Sequence, residues 1–413
     1  PSAVNEFRAV FHWTRSDVRW GTNDNIAAKF SVPGLPAELL STPGMPAYAI
    51  SGMNSIGGAT YNPNLMREQT LQIKDSLFQI RGSHTIKVGG EFKSQHIPFS
   101  VAQVAMGQFS FTGVFTASGA GTGEGLGDFM LGFPQSFLGQ SRTSAANMRR
   151  FITAGYFNDD WKATSRLTVN LGIRYEFFSP LTDTRNRFGS FDPATGGFRL
   201  ARDGSLEDRA LVKPDYKQFA PRIGLAYRLN DKSVVRGGYG LFYSGEEPLG
   251  AGFWLQNNPN FVVGVNLFAV PPEPLVRLER GLPPNLFTLG GIAAPTATGI
   301  QYNARVAYVQ NWNLTLQRTF GGAWSAQASY VGSNGFHFLT PVFINQARPG
   351  AGSVQSRRPF PAYGTITFTE DRGKTNYHSV QTQIERTFSN GLSLLGSYTY
   401  AKAIDDHEDM FGR

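Results

Sequence analysis

Between Leu167 and Phe177 the chain alternates almost without a break. Leu167, Val169, Leu171, Ile173, Tyr175 and Phe177 fall on one face; Arg166, Thr168, Asn170, Gly172, Arg174 and Glu176 fall on the other. A period of two is the signature of an extended strand with one apolar and one polar side. The run Phe151 to Trp161 precedes it across the short polar link Lys162-Ala163-Thr164-Ser165, so the stretch Phe151–Phe178 reads as an antiparallel hairpin. A hairpin of this kind must cover its apolar face, either with a protein core or with lipid. The rest of the chain decides which.

Similar hairpins recur. Thr70–Ile80 and Thr85–Ile97 meet at Arg81-Gly82-Ser83-His84; Phe219–Leu229 and Val234–Tyr243 meet at Asn230-Asp231. Arg305–Phe320 and Trp324–Phe338 join across Gly321-Gly322, and Tyr377–Phe388 and Leu392–Ile404 across Ser389-Asn390-Gly391. Asn5–Thr14 adds a strand with Phe7, Phe11 and Trp13 on one side. Within hairpins the links run to about two to five residues. Between hairpins they run mostly to about 30 to 55, as at 179–217 and 244–301, while the strands have about ten to thirteen residues. Short turns at one end, long loops at the other and strands of membrane-crossing length predict an antiparallel transmembrane β-barrel, all-β, with the long loops outside. Soluble sandwiches use strands nearer five or six residues. Residues 106–146 fit less plainly: Gln108–Phe115 is strand-like, Gly119–Gly127 is a flexible link, and Asp128–Leu131 is one helical turn, either in the wall or wholly in a loop.

Composition agrees. Charged residues make up 16% of the 413, against an ordinary share of about 25%, while Gly (47) and Phe (33) are abundant. That balance suits a many-stranded β structure rather than a helical bundle. The net charge of +8 is scattered along strands and loops, which argues against a nucleic-acid partner. Without Cys there are no disulfides, thiol nucleophiles or Cys-based zinc sites. No run of about 18 apolar residues could form a transmembrane helix. The chain starts at Pro1 and stops at Arg413 just after a strong strand, so it reads as a piece of a longer protein.

Several segments resemble, in order, the barrel of TonB-dependent outer-membrane receptors, in particular the Oar-like group. These are Tyr156–Pro180 (YFNDDWKATSRLTVNLGIRYEFFSP), Phe219–Leu229, Ser233–Tyr243, Gln310–Phe320, Ala328–Phe338 and Asn376–Asp406, together with Gly127–Pro134 (GDFMLGFP). The resemblance spans roughly residues 70–406. It implies an outer-membrane location in a Gram-negative-type bacterium, lipid as a partner, and energised uptake of a scarce solute bound by the outer loops. It also implies coupling to the TonB energy-transducing complex through a plug and TonB box that this chain does not carry. Family barrels have about 22 strands; with about 11 to 13 here, the chain reads as a partial barrel. The alternative function is a passive porin or an adhesive barrel without energised transport.

Candidate sites are few. Asp405-Asp406-His407-Glu408-Asp409 offers oxygen ligands but lacks calcium-loop spacing, and reads as an outer rim. The Gly119–Gly127 run lacks the strand and Lys-Ser/Thr of a phosphate loop. The six His are scattered and no nucleophile elbow is present, so no catalytic, cofactor or metal residue is assigned and an enzyme is not expected. Tyr156, Tyr175, Phe177, Tyr227, Tyr239, Tyr243, Trp312, Tyr398 and Tyr400 suit interfacial girdles. Phe253, Trp254 and Phe261 lie in the longest loop beside Gln256, Asn257 and Asn258, where rings and amides suit a glycan or other organic ligand or else loop self-packing. The ligand itself, small molecule, glycan or peptide, stays unknown. Asp159 to Arg166 reads as a periplasmic turn.

Overall fold

A computed structural model describes residues 3–19, 29, 35, 44–58, 61–101, 104, 106–119, 121–142, 144–245, 254–269, 271–274, 276–288, 294–389 and 391–406. Its main body is a sheet of thirteen strands, two of them short additions at Thr182–Asp183 and Ala297–Ile300. The remaining strands form the wall: β1 (Ala3–Val18), β2 (Asn64–Arg81), β3 (His84–Val101), β4 (Ser144–Lys162), β5 (Leu167–Phe178), β6 (Phe219–Asn230), β7 (Ser233–Ser244), β8 (Ala307–Phe320), β9 (Trp324–Phe343), β10 (Ile366–Ser389) and β11 (Leu392–Asp405). Each pairs antiparallel with its neighbour in sequence, an up-and-down meander. The antiparallel hairpins expected from the sequence are all present. No helix among the described residues is long and apolar enough to cross a membrane.

The two faces of the wall are inverted relative to a water-soluble sheet. On β2, Thr70 and Ser76 are buried while Leu71, Ile73 and Leu77 are exposed. On β8, Leu314 is 58% exposed; on β11, Tyr400 is 71% exposed. A row of large aliphatic side chains left in water would forfeit about 1.5–3 kcal/mol each. The outward face is therefore built for hydrocarbon.

Aromatic rings mark the limits of that face. On the long-loop side, Tyr175 packs on Phe219 at 4.8 Å, Tyr243 on Tyr308 at 5.8 Å, and Tyr308 on Phe336 at 5.4 Å. These rings lie on five successive strands, β5 to β9, and form one row. On the short-turn side, His84 stacks on Trp161 at 5.5 Å and Phe320 on Trp324 at 6.4 Å. Along β8 the two rows are separated by the step from Tyr308 to Phe320. Twelve residues span about 41 Å of strand, or roughly 29–34 Å along the membrane normal at a tilt of about 35–45°. The hydrocarbon layer is about 30 Å thick.

Four expectations need correction. Asp159–Lys162 belong to β4 rather than to the turn, which is confined to 163–166. Tyr156 lies on the inward face, opposite Arg174, and takes no part in the girdle. Phe177 has outward parity but is covered by Tyr216 of the following loop, stacked at 4.8 Å. The strands are also longer than expected: β9 has 20 residues and β10 has 24.

The long loops are folded. Gln108–Phe111 and Ser136–Gln140 do not join the wall. They form the centre of a second sheet in the order Gly264–Phe268, Ser136–Gln140, Gln108–Phe111, Ala47–Ile50, Ile56–Gly57. Three separate inter-hairpin loops contribute to it. Its core contains Tyr48, Ile50, Phe109, Phe111, Phe137, Val265 and Leu286. A second cluster fastens loops to the wall: Ile97, Phe99 and Val101 of β3 and Met148 of β4 pack with Phe188, Leu211, Leu255 and Ile300. Beyond the membrane-crossing part, the inward face thus turns apolar because a cap sits on it.

Candidate functional site

The inward face carries a charged belt. The Gln95 amide donates to Glu68 at 2.9 Å and its carbonyl accepts from Arg150 Nε at 2.7 Å. Arg150 also donates to the backbone oxygen of Gly245 at 2.7 Å, tying the wall to the longest loop. Four residues further along each strand towards the turns, Gln72 donates to Glu91 at 2.6 Å, and Arg174 bridges Glu91 (3.3 Å) and Glu176 (2.8 Å). The Tyr156 ring lies between Lys87, 5.8 Å away, and Arg174, 5.6 Å away. Its hydroxyl rests over Gly89, where a Cβ would come within 2.5 Å of it. These groups alternate in sign across β2 to β5, so the inner surface is a polar path shielded from lipid by the wall.

Above the belt, the loops are held by buried polar anchors. The helix α1 (Gly125–Leu131) carries Asp128, which is fully buried. Its carboxylate accepts the backbone N–H of Gly113 (2.9 Å), Phe115 (3.3 Å) and Thr116 (2.9 Å), and the Thr116 hydroxyl at 2.9 Å. Of the Gly-rich run expected to be a flexible link, Gly121 stays open to solvent but the end from Gly123 on is packed: a Cβ on Gly125 would come within 2.8 Å of Phe111 O and Ser51 N. GDFMLGFP is thus a clamp for the cap, a role that its sequence resemblance alone did not specify.

The 179–217 loop has its own anchors. Asp183 accepts the N–H groups of Asn147 (2.6 Å) and Arg187 (3.0 Å) and pairs with the Arg187 guanidinium at 3.1 Å. Burial alone would push this carboxyl up, but the hydrogen bonds from Arg187 and Asn147 outweigh it and hold it below the usual carboxylate range. The short helix α2 (Leu206–Ala210) opens with a Ser205–Asp208 capping box. Hydrogen bonds from Ser205 and Arg202 pull the Asp208 carboxyl down to about 2.

The residues singled out in the sequence separate here. Asp406 accepts the N–H of Lys374 and so closes the β10–β11 hairpin end; His407, Glu408 and Asp409 lie outside the described residues. Among the described residues, no three His, Cys, Asp or Glu side chains gather as metal ligands. Of the loop aromatics, Phe253 lies outside the described residues. Asn258 is a structural lock, bonded to both the N–H (2.7 Å) and the oxygen (2.9 Å) of Thr298 and to Gly189 O. Trp254 and Asn257, by contrast, line a cleft of about 510 Å³ between the cap sheet and the outer ends of β9 and β10. The sequence pointed to this loop but missed the opposite wall of the cleft. Those residues, Pro341 to Thr369, sit 84 to 115 positions away from Asn257 and Trp254, brought near only by tertiary pairing.

A family profile for the outer membrane beta barrel domain matches residues 1–412. No curated protein matches the chain. Among solved structures, the outer membrane transporter YddB from Escherichia coli is 11% identical with a TM-score of 0.46, covering 86% of this chain and 37% of that one. The ferripyoverdine receptor FpvA of P. aeruginosa, solved with heterologous pyoverdines, gives 11% and 0.44, covering 98% of this chain and 39% of that one. The copper transporter OprC gives 10% and 0.45, covering 96% and 44%. The chain thus spans well under half the length of these proteins.

Proposed function

The chain belongs to the outer membrane beta barrel domain family and lies in the outer membrane, and from that premise we propose that it is part of the translocation wall of an Oar-like TonB-dependent receptor. The observation that supports this reading most is the pairing of an inward charged belt, Glu68–Gln95–Arg150 and Glu91–Arg174–Glu176, with a folded cap built from the long loops. A general pore needs an open mouth. A receptor needs ordered loops that hold a solute above a polar path. In the proposal the whole protein admits its ligand past a plug when the TonB complex pulls on it, and the wall contributes no catalytic chemistry.

The test uses the full-length protein in planar bilayers and in a binding assay with the periplasmic domain of TonB. The proposal expects no steady open conductance and a specific TonB complex. Steady open channels without TonB binding would establish the passive-porin reading instead.

A further inference from the structure

We propose that the cleft between the cap sheet and the outer ends of β9 and β10 binds a neutral, polyhydroxylated ligand of about one to two sugar rings. This rests on the receptor reading of the preceding section and names the chemistry of its ligand.

The floor of the cleft is a hydroxyl ladder. Strand Ala297–Ile300 pairs in parallel with the start of β10, setting Thr298 beside Thr367. With Thr296 and Thr365 the row presents half-buried hydroxyls on one face. The opposite face, Ala297 and Ile366, is buried against Phe191. The hydroxyls of Thr298, Thr365 and Thr367 make no hydrogen bond among the described residues. Asn257 and Asn266 supply amides from the facing side, and they too make no side-chain hydrogen bond among the described residues.

Three aromatic side chains, Tyr61, Trp254 and Phe343, also line it. Rings offer flat apolar surface to the C–H face of a sugar, while hydroxyls and amides act as both donors and acceptors. Among the described residues, no Asp, Glu, Lys, Arg or His lines the cleft. An anionic chelate or a phosphate brought here would lose hydration without gaining a countercharge. A volume of about 510 Å³ falls within the range of about 300–1,000 Å³ usual for small-molecule sites.

The experiment uses purified full-length protein in lauryldimethylamine-oxide micelles, which carry no sugar. Calorimetric titration or saturation-transfer NMR is run with cellobiose, maltose, laminaribiose and chitobiose, and with digalacturonate and ferric citrate as charged probes. The expected result is binding of at least one neutral disaccharide and of neither charged probe. Thr367→Val and Asn266→Leu should each weaken that binding about three- to tenfold, the worth of one hydrogen bond, while heat-modifiable mobility shows the wall intact. The proposal is overturned if no neutral disaccharide binds, if a charged probe binds as well, or if both variants bind like wild type. Binding in micelles requires no energised inner membrane. Failure of TonB coupling would therefore sink the uptake reading while leaving this result standing, and the reverse also holds.

Discussion

Leu314 and Asn313 are neighbours on β8 and point to opposite faces of the wall. Leu314 lies six residues from Tyr308 and six from Phe320, midway between the two aromatic rows. If the outward face meets lipid, Leu314→Arg places a guanidinium at the bilayer midplane. The cost there is about 2–4 kcal/mol, a shift of roughly 30- to 700-fold in the folding equilibrium. Asn313→Arg puts the same group into the lumen, opposite Gly238 and Val331. No cation lies directly across from it, and the change should stay within about 0.5 kcal/mol. The assay is reversible urea unfolding of the intact protein in phosphocholine vesicles, followed by tryptophan fluorescence, with Asn313→Arg as the internal reference. In an aqueous fold the ranking would differ, because Leu314 is already 58% exposed and its replacement by Arg would be nearly neutral. Equal effects of the two variants, or a larger effect of Asn313→Arg, would refute the assignment of faces.

Further outcomes follow from other parts of the fold. At Gly332 a Cβ would come within 2.4 Å of the Trp312 indole; Gly332→Val should cost about 1–3 kcal/mol, and a double-mutant cycle with Trp312→Ala should recover most of it. Asp128→Ala leaves the buried N–H of Gly113 and the part-buried N–H groups of Phe115 and Thr116 without their acceptor, for about 1–3 kcal/mol of local stability; limited proteolysis should then cut the 113–124 segment while the wall still shows heat-modifiable mobility. Asp183 and Asp208 both titrate below the ordinary value of 3.8, Asp208 near 2. Depressed carboxyls stabilise above their unfolded value and lose that support as pH falls through the folded one. Hydrogen-exchange protection at Asn147 and Arg187, corrected for intrinsic rate, should therefore decline in wild type as the pH falls below the ordinary carboxyl value of 3.8 and through the lower folded one, and be already low at neutral pH in Asp183→Ala; protection unchanged by acid would count against this anchor.

The wall was legible in the sequence because lipid on one side and water on the other impose a strict period of two. Leu167 to Phe177 shows this directly, and the same reading placed Arg222, Gln381 and Glu385 inward. Legibility failed where that contrast ends. Past the aromatic row on the long-loop side, the inward positions Ile97, Phe99 and Val101 are apolar because the cap packs on them, so strands continue after their alternation has stopped. The start of β10 was missed for a related reason, since Thr365, Thr367 and Thr369 face a cleft rather than the water-filled lumen. The cap sheet was invisible because its strands have two to five residues and pair across long separations, as when Ala47–Ile50 runs parallel to Gln108–Phe111. Tyr156 misled because a tyrosine near a strand end suits a girdle, and only its register beside Arg174 shows that it faces the lumen.

The central claim is that β8 crosses a lipid bilayer with Trp312, Leu314 and Leu316 in hydrocarbon and Asn311, Asn313 and Thr315 in the lumen. The chain has no native cysteine, so single cysteines at these six positions can each carry a nitroxide label without background. Power-saturation EPR of the full-length protein in lipid vesicles then compares accessibility to oxygen, which concentrates in hydrocarbon, with accessibility to a water-soluble nickel chelate. The expected result is a period of two, with oxygen dominant at 312, 314 and 316, strongest at 314, and nickel dominant at 311, 313 and 315. Nickel dominance at all six positions, or a profile without alternation, would contradict the claim.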